Sequence, residues 1–405
     1  MILTARCAVT AFAAIAVPAS LVLAGPAAMA SPRGAHPHPG FTVRQIVNGT
    51  KLHHHYTVSG TRKTEPLSQP DDLTHFGPFL FAAFQNGVGP QGEPSTDGNT
   101  DSTVVAFTPS GYVLRQWDIK GKCDGLTADP QLRRVIATVN EDANSSLYTI
   151  DPVARTGGIQ HYAYNEPLPH HGGTDAITIY AGQIFISASA PGTTGAPAPQ
   201  PGYPAVYSVA LGANHVATVT PLFRDEAHAT VANTGTSHGT KVKLALTDPD
   251  SNFAVPWGAP RFAGDFELTS QGDKQQIYAQ SRGGALRLLV LNLSQSVDDT
   301  AWITGDGQLF AADGNGDTID RVTGDFEAGS IFVAVTPCDA GNAPPTCPGP
   351  GFPPNYLGTL GPWTGHVSKV MLSGPRLEPK GLMFLPAGPG DSCDTRCARP
   401  ALPRP

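Results

Sequence analysis

The sequence predicts an all-β chain folded as a six-bladed β-propeller, and three observations predict it. Short apolar strand candidates recur from Phe79 to Leu372. They are divided by Asp, Asn, Gly and Pro, residues that accept tight or left-handed backbone. No sustained helical period of ten or more residues lies between them, which disfavours an α/β fold. The candidates also repeat one layout of strand, polar turn or insertion, and strand, whereas a β-sandwich or two small β domains, the competing readings, need no repeated phrase.

The layout is plainest from Cys123 to Pro152, CDGLTADPQLRRVIATVNEDANSSLYTIDP. Asp124-Gly125 reads as a turn, Val135 to Thr138 as a strand, Asn140 to Ser146 as a polar hairpin turn, and Leu147 to Ile150 as a second strand stopped by Asp151-Pro152.

Taken in order, residues 1–30 read as a secretory signal peptide. Arg6 supplies the positive start, Val9 to Val22 is mostly apolar, and Ala28-Met29-Ala30 before Ser31-Pro32 is an A-x-A cleavage context. The apolar run is short and Pro-interrupted, and no later segment approaches a membrane span. Residues 31–70 form an extension rich in His, Pro, Thr and Lys, with Phe41 to Val47 as a first strand. In His53-His54-His55 alternate side chains face opposite ways along a strand, so they do not converge on a metal. The propeller is expected over 71–386. Its first unit has Phe79 to Phe84 as the inner strand, a long loop from Gln85 to Asp101, then Ser102 to Phe107 and Tyr112 to Asp118. Later strands are read at Gln183 to Ser189, Ala205 to Leu211 and His215 to Thr220, then at Val242 to Thr247, interrupted by Asp248 to Asn252. Gln276 to Ser281 and Leu286 to Leu291 follow, then Gln308 to Ala312 and Thr318 to Val322. Gly329 to Thr336, Tyr356 to Leu360 and His366 to Leu372 are candidates for the closing outer strands. Residues 387–405 form a Pro-, Gly-, Cys- and Arg-rich tail. Closing such units into a ring buries sheet faces that no unit buries alone.

With 26 Lys+Arg against 33 Asp+Glu, a formal charge of -7, nothing favours a nucleic-acid partner. Neither GxxxxGK[ST] nor a GxGxxG between strand and helix occurs, so no nucleotide cofactor is expected. Cys7 leaves with the signal. Of the remaining five cysteines, Cys338 with Cys347 and Cys393 with Cys397 would each close a loop in an oxidising exterior, leaving Cys123 unpaired; other pairings stay open. The composition and signal suit a bacterial, extracellular, monomeric protein, in which the Asn-x-Ser/Thr sites at Asn48, Asn144 and Asn292 carry little meaning.

The phrases LYTIDP (147–152) and LFAADGNGDTIDRVTG (309–324) resemble blades of the six-bladed propeller superfamily that includes SMP-30/gluconolactonase-like, strictosidine-synthase-like and NHL-repeat proteins. The resemblance spans roughly Thr74 to Ser373. It implies, for the hydrolytic members, a divalent ion, commonly calcium, held near the central channel by Glu, Asn and Asp. No segment reproduces a complete site motif of that kind, and fold likeness alone does not assign an activity.

Loops entering the innermost strands converge at one end of a propeller channel. His75, Asp124, His170, His171, Asp175, Asp265 and Glu267 are the candidate ligands for one divalent ion, calcium above all, since carboxylate and Asn oxygens suit it; two histidines and a carboxylate would suit zinc or iron. His238 and Glu267 are the candidates to move a proton. Each residue has a plainer role beside this one: Asp124 and Asp175 as turn acceptors, each histidine as a packed or surface residue. Ser237-His238 is not a nucleophile pair, since adjacent residues seldom form one and no GxSxG occurs. Asp313-Gly314-Asn315-Gly316-Asp317 reads as a hairpin turn before it reads as a calcium loop, because its spacing is wrong for an EF-hand. The expected function is binding of a small molecule, sugar or polymer fragment at the central face. A metal-dependent lactone or ester hydrolase is the first alternative and a protein-interaction module the second. Long polar insertions, Gln85 to Asp101 and Pro191 to Pro204, suit recognition by a rigid ring.

Overall fold

Residues 40–168, 173–189, 202–282, 285–338 and 354–388 are described by a computed structural model. The chain divides into Met1–His38, which lies outside the described residues, and Pro39–Pro405, which carries everything below. The expected signal segment therefore lies outside the description, as do His170, His171, Cys347, Cys393 and Cys397.

After β1 (Phe41–Asn48) come a short 3-10 turn (Gly49–Lys51) and the hairpin of β2 (His53–Val58) and β3 (Thr61–Pro66). A four-stranded sheet follows, ordered β4 (Pro70–Phe76), β5 (Phe79–Phe84), β6 (Asp101–Phe107) and β7 (Val113–Lys120). A second run is ordered β8 (Cys123–Asp129), β9 (Arg134–Val139), β10 (Ser146–Ile150) and β11 (Ile159–Tyr164). Its β11 pairs in parallel with β15 (Val216–Arg224), the outer strand of a third run made with β12 (Ile177–Tyr180), β13 (Gln183–Ser187) and β14 (Pro204–Leu211). Six strands form the next sheet: β16 (His228–Val231), β17 (Lys241–Lys243), β18 (Pro249–Ala254), β19 (Phe266–Ser270), β20 (Gln275–Arg282) and β21 (Ala285–Asn292), with β18 at its inner edge.

The last two sheets interleave in sequence. β22 (Val297–Trp302) pairs with β25 (Ile331–Val335), which continues to β26 (Tyr356–Leu360) and β27 (Val367–Lys369). The hairpin of β23 (Gly307–Asp313) and β24 (Thr318–Thr323) leaves that sheet and joins β28 (Leu372–Ser373), β1 and the C-terminal β29 (Pro379–Pro386) in the order β28-β1-β24-β23-β29. Both ends of the described chain thus close one sheet. Val43 pairs with Val322 on its outer side and Leu309 with Phe384 on its inner side, so β1, in the stretch expected to precede the propeller, belongs to its closure.

Among the described residues six inner strands, β4, β8, β12, β18, β22 and β29, each pack on the next, and β29 returns to β4. The fold is all-β and a β-propeller. Its core is not one mass but a series of wedges between neighbouring sheets. Phe81, Val104 and Trp117 meet Leu126, Val135 and Ile150 in one, and Phe185 and Val206 meet Phe266, Leu268 and Val290 in another. Alternate residues of each strand feed the two wedges it borders, which is why strands such as β5 and β23 are apolar on both faces.

The structure corrects the sequence reading in three places, all for one reason. Phe79–Phe84 is the second strand from the axis, because β4 lies inside it. Asp124-Gly125 stands within strand β8, and Asp250 to Asn252 within β18. These inner strands are polar because they face a channel, and in sequence a short polar run of Asp, Gly, Ser and Asn has the signature of a turn. Asp313 to Asp317 does form the β23–β24 turn: Asp313 accepts the Gly316 amide at 2.7 Å and the Glu378 amide at 2.9 Å.

Neighbouring inner strands run in the same direction with equivalent residues side by side. The Leu126 amide donates to Asp72 Oδ2 at 2.6 Å, and two residues on the Ala128 amide donates to Thr74 Oγ1 at 3.0 Å. The Leu382 amide donates to Asp299 Oδ2 at 2.6 Å in the same way. Gly381 is where this approach is tightest, since a Cβ there would lie 2.0 Å from the Asp71 carbonyl oxygen. Gly381→Ala is therefore expected to destabilise the fold by about 2 kcal/mol or more, the scale of overpacking. Gly258→Ala, where a Cβ meets nothing within 4 Å, is the control. Urea denaturation should lower the midpoint of the first variant only.

Candidate functional site

Five of the six inner strands open on one phrase. Asp71, Asp124, Asp175, Asp250 and Asp298 each occupy its second position, in Pro70-Asp-Asp-Leu-Thr74, Cys123-Asp-Gly-Leu-Thr127, Thr174-Asp-Ala-Ile-Thr178, Pro249-Asp-Ser-Asn-Phe253 and Val297-Asp-Asp-Thr-Ala301. In the sixth, Pro379-Lys-Gly-Leu-Met383, Lys380 takes the place of the acid. An extra residue bulges out of register at this point: Pro70 pairs with Phe84 but Leu73 with Ala82, and the same slip follows Cys123, Pro249, Val297 and Pro379. A bulge re-aims the residue it contains; here it brings Asp71, Asp124, Asp250 and Asp298 to the lining of the channel, which Asp175 joins from just ahead of β12.

The neighbouring sheets clamp this end. Thr138 Oγ1 donates to the Asp175 carbonyl and Ser187 Oγ to the Asp250 carbonyl, one hydroxyl from the second strand of each preceding sheet. Lys380 Nζ stands 3.3 Å from Asp71 and 4.0 Å from Asp298, its neighbours on the ring. Lys122 Nζ lies 2.8 Å from Asp124 and also pairs with Glu141. Asp71 foremost holds the Lys380 ammonium well above the ordinary lysine range. Burial, reinforced by neighbouring carboxylates, pushes Asp124, Asp175 and Asp250 well above the usual carboxylate range, and Asp72 likewise. Asp299 is pushed up to about 7, chiefly by burial.

Asp71, Asp72, Asp124, Asp175, Asp250, Asp298 and Asp299 line a cavity of about 410 Å³ running along the inner strands. One end holds the acids; the other is lined by Phe253, Pro256, Trp302, Thr304, Phe384 and Pro386. His75 and Thr74 sit toward the second end. Burial lowers the His75 imidazole below its ordinary value, and its Nδ1 is buried without a hydrogen-bond partner. Asp124 Oδ2 and Asn252 Oδ1 are buried and unpartnered in the same way, although Asn252 Nδ2 is bonded to the Ala176 carbonyl at 2.9 Å and Ser187 Oγ at 3.0 Å. The three longest connections, 85–100, 188–203 and 336–355, all leave and rejoin the sheets at the acidic end.

Of the residues singled out from sequence, His75, Asp124 and Asp175 line this one cavity. Asp265 and Glu267 lie off it. Asp265 accepts from Gln280 Nε2 at 2.7 Å. Glu267, 1 % exposed, accepts from Gln276 Nε2 and from Trp302 Nε1, each at 2.9 Å. His238 is exposed between β16 and β17, its Nδ1 donating to the carbonyls of Ala232 and Asn233 at 3.3 and 3.2 Å. Among the described residues no group of three or more His, Cys, Asp or Glu side chains is placed to hold a metal ion. Cys123 is buried and free, and Cys338 is disulfide-bonded to a partner outside the described residues. Sequence reasoning missed Asp71, Asp72, Asp250, Asp298, Asp299 and Lys380. Aligning the five-residue phrases around Cys123-Asp124-Gly125-Leu126-Thr127 would have found them.

No family model and no curated protein matches the chain. Among solved structures it is similar to streptogramin B lyase, at 13% identity and a TM-score of 0.41 over 82% of this chain and 91% of that one. It is also similar to the Pseudomonas aeruginosa periplasmic gluconolactonase PpgL, at 14% and 0.41 over 85% and 99%, and to the β-propeller domain of Myceliophteria thermophila Cps50 (Swd1), at 12% and 0.39 over 80% and 79%. Likeness at this level assigns no activity to the chain.

Burial holds Glu267 at about 7 against an ordinary 4.5. The folded chain therefore keeps a proton that the unfolded chain releases, and this group's contribution is intact below pH 4.5 and lost as pH rises toward 7. Glu267→Gln should flatten the fall in stability across that window by about 3 kcal/mol at most. Urea midpoints of parent and variant measured from pH 4.5 to 7.5 check it, and parallel curves would contradict it.

Proposed function

We propose that the chain binds a small hydroxyl-rich molecule, a sugar or a polymer fragment, in the axial cavity, entering at the acidic end. The observation that carries this is the cavity itself, which falls in the size range of small-molecule sites and combines an apolar wall with a few convergent polar groups. Carboxyl groups held in part in their neutral form both donate to and accept from hydroxyls. The unpartnered oxygens of Asp124 and Asn252 can accept from such donors, and the unpartnered Nδ1 of His75 donates or accepts according to its tautomer. Phe253, Trp302 and Phe384 offer apolar surface to the C–H faces of a ring. The lining carries seven aspartates, and Lys380 and Lys122 beside it are ion-paired to Asp71 and Asp124, which disfavours phosphorylated and other anionic ligands.

The alternative is a calcium-dependent lactone or ester hydrolase at the same place. Its support is the unpartnered Asp124 Oδ2 beside Asp175 and the unpartnered Asn252 Oδ1, hard oxygen donors of the kind calcium takes. As placed they do not form a ligand set, so this reading requires them to close around the ion; calcium would then polarise a carbonyl. Export of the chain, and its action as a monomer, belong to the same proposal.

Titration calorimetry with neutral monosaccharides, polyols and sugar lactones, with and without calcium chloride, tests both readings. A saturable ligand is expected, with affinity lowered at least tenfold by Asp250→Asn and abolished by Thr178→Trp, which fills the cavity. Binding that survives Thr178→Trp unchanged would overturn the cavity as the site. Lactone turnover that appears with calcium and vanishes with chelator would replace binding alone with the hydrolase.

A further inference from the structure

Among the described residues seven of the eight exposed large apolar side chains stand at the end of the propeller away from the acids. Because all inner strands run from the acidic end, every connection between a first and second strand, or a third and fourth, lies at the opposite end. Trp257, 86 % exposed, stands on the β18–β19 connection, Tyr112, 71 % exposed, on β6–β7, and Leu132, 64 % exposed, on β8–β9. Val153 and Ile159 flank the β10–β11 turn, Leu286 begins β21, and Trp363 stands between β26 and β27. Single exposed apolar residues are ordinary, but seven gathered at one end are not.

The display is braced. Phe262 stacks on Tyr278 at 3.6 Å, Tyr180 Oη donates to the Gly264 carbonyl at 2.9 Å, and Arg261 donates to the Pro362 carbonyl at 2.6 Å while lying over the Trp363 ring. These contacts fix the loop that holds Trp257 out, and the indole lies across Gly264, where a Cβ would meet its ring atoms at 2.4 to 2.7 Å.

We infer that this end is a docking face for a lipid surface, seated in the headgroup layer of an anionic bilayer. The apolar side chains stand singly on loop tips of four sheets. A deformable interface can accept such tips all at once, whereas a rigid protein would need a separate matched pocket for each. Trp and Tyr are the residues that favour this layer. Arg133 follows Leu132, Arg155 lies two residues beyond Val153, and Arg287 follows Leu286, so cationic groups accompany the tips as anionic headgroups require. Asp151 caps its own turn by accepting the Val153 amide at 2.9 Å. The acids Asp306, Asp325 and Glu327 at this end belong to the last two sheets, which weights the contact toward Tyr112, Leu132 and Trp257. In this pose the acidic end faces away from the bilayer.

The test is flotation of the full chain with vesicles of phosphatidylcholine alone and of phosphatidylcholine with 30% phosphatidylglycerol, taking about a third of the lipid as anionic for a clear surface potential. Binding is expected to the anionic vesicles, weakening at least tenfold in the triple variant Tyr112→Ser, Leu132→Ser, Trp257→Ser. Brominated lipid should quench the part of the fluorescence lost in Trp257→Phe, which separates this face from any other segment that touches lipid. No quenching of Trp257, or equal binding by the triple variant, would overturn the proposal. So would a concentration-dependent dimer in analytical ultracentrifugation that the triple variant abolishes, since a second copy would then be the occupant.

Discussion

The interaction on which this molecule turns is the lateral contact between neighbouring inner strands. Strands that bond only within their own sheets have no reason to gather at an axis. Here Asp72 and Asp299 reach across and accept amides of the next inner strand, and Thr74, Thr138 and Ser187 supply hydroxyl links of the same kind. The links require strands in common direction, and in five of the six a bulge frees one residue at the start of the strand. That freed position is acidic in four of them, and Asp175 takes the equivalent place just ahead of β12. Crowded buried carboxylates repel, and their mutual cost is met by protonation and by two ammonium groups, one of them Lys380 in the sixth position itself.

Fold and site are therefore consequences of one local device. The bulge and the cross-strand carboxylates that hold the ring together also line the channel. The same ordering gives the propeller two unlike ends. Long connections return to the sheets on the acidic side, while short turns tipped with apolar residues occupy the other. The ring is thus unlike at its two ends, with carboxyl groups lining one mouth and exposed apolar side chains at the other.

The sequence carried much of this plainly. β5, β9, β10 and β23 are largely apolar runs followed within two residues by Gly, Asn, Asp or Pro, and they are legible because burial on both faces leaves a continuous signature. The inner strands were hidden for the opposite reason. Asp124-Gly125 and Asp250-Ser251-Asn252 carry the residues of turns, yet they are strand residues beside a channel, where polarity has a use and Gly permits a backbone oxygen to come close. Asp124 and Asp175 were reachable as candidates by residue type. Their partners at Asp71, Asp250 and Asp298 needed the phrases to be aligned, and Glu267 could not be distinguished by type from a channel acid, although it is a buried acceptor for Trp302.

The crowding of carboxyl groups around the axis is the physical core of the whole picture, and carbon-13 NMR titration of selectively labelled aspartate carboxyls measures it directly. A distinct set should titrate far above the ordinary range, with Asp299 near 7 and the Asp175 and Asp250 resonances displaced upward and assigned by their Asn variants. If every aspartate instead titrates near 3.8, the acids are solvated and apart, and the axial cavity does not exist as described.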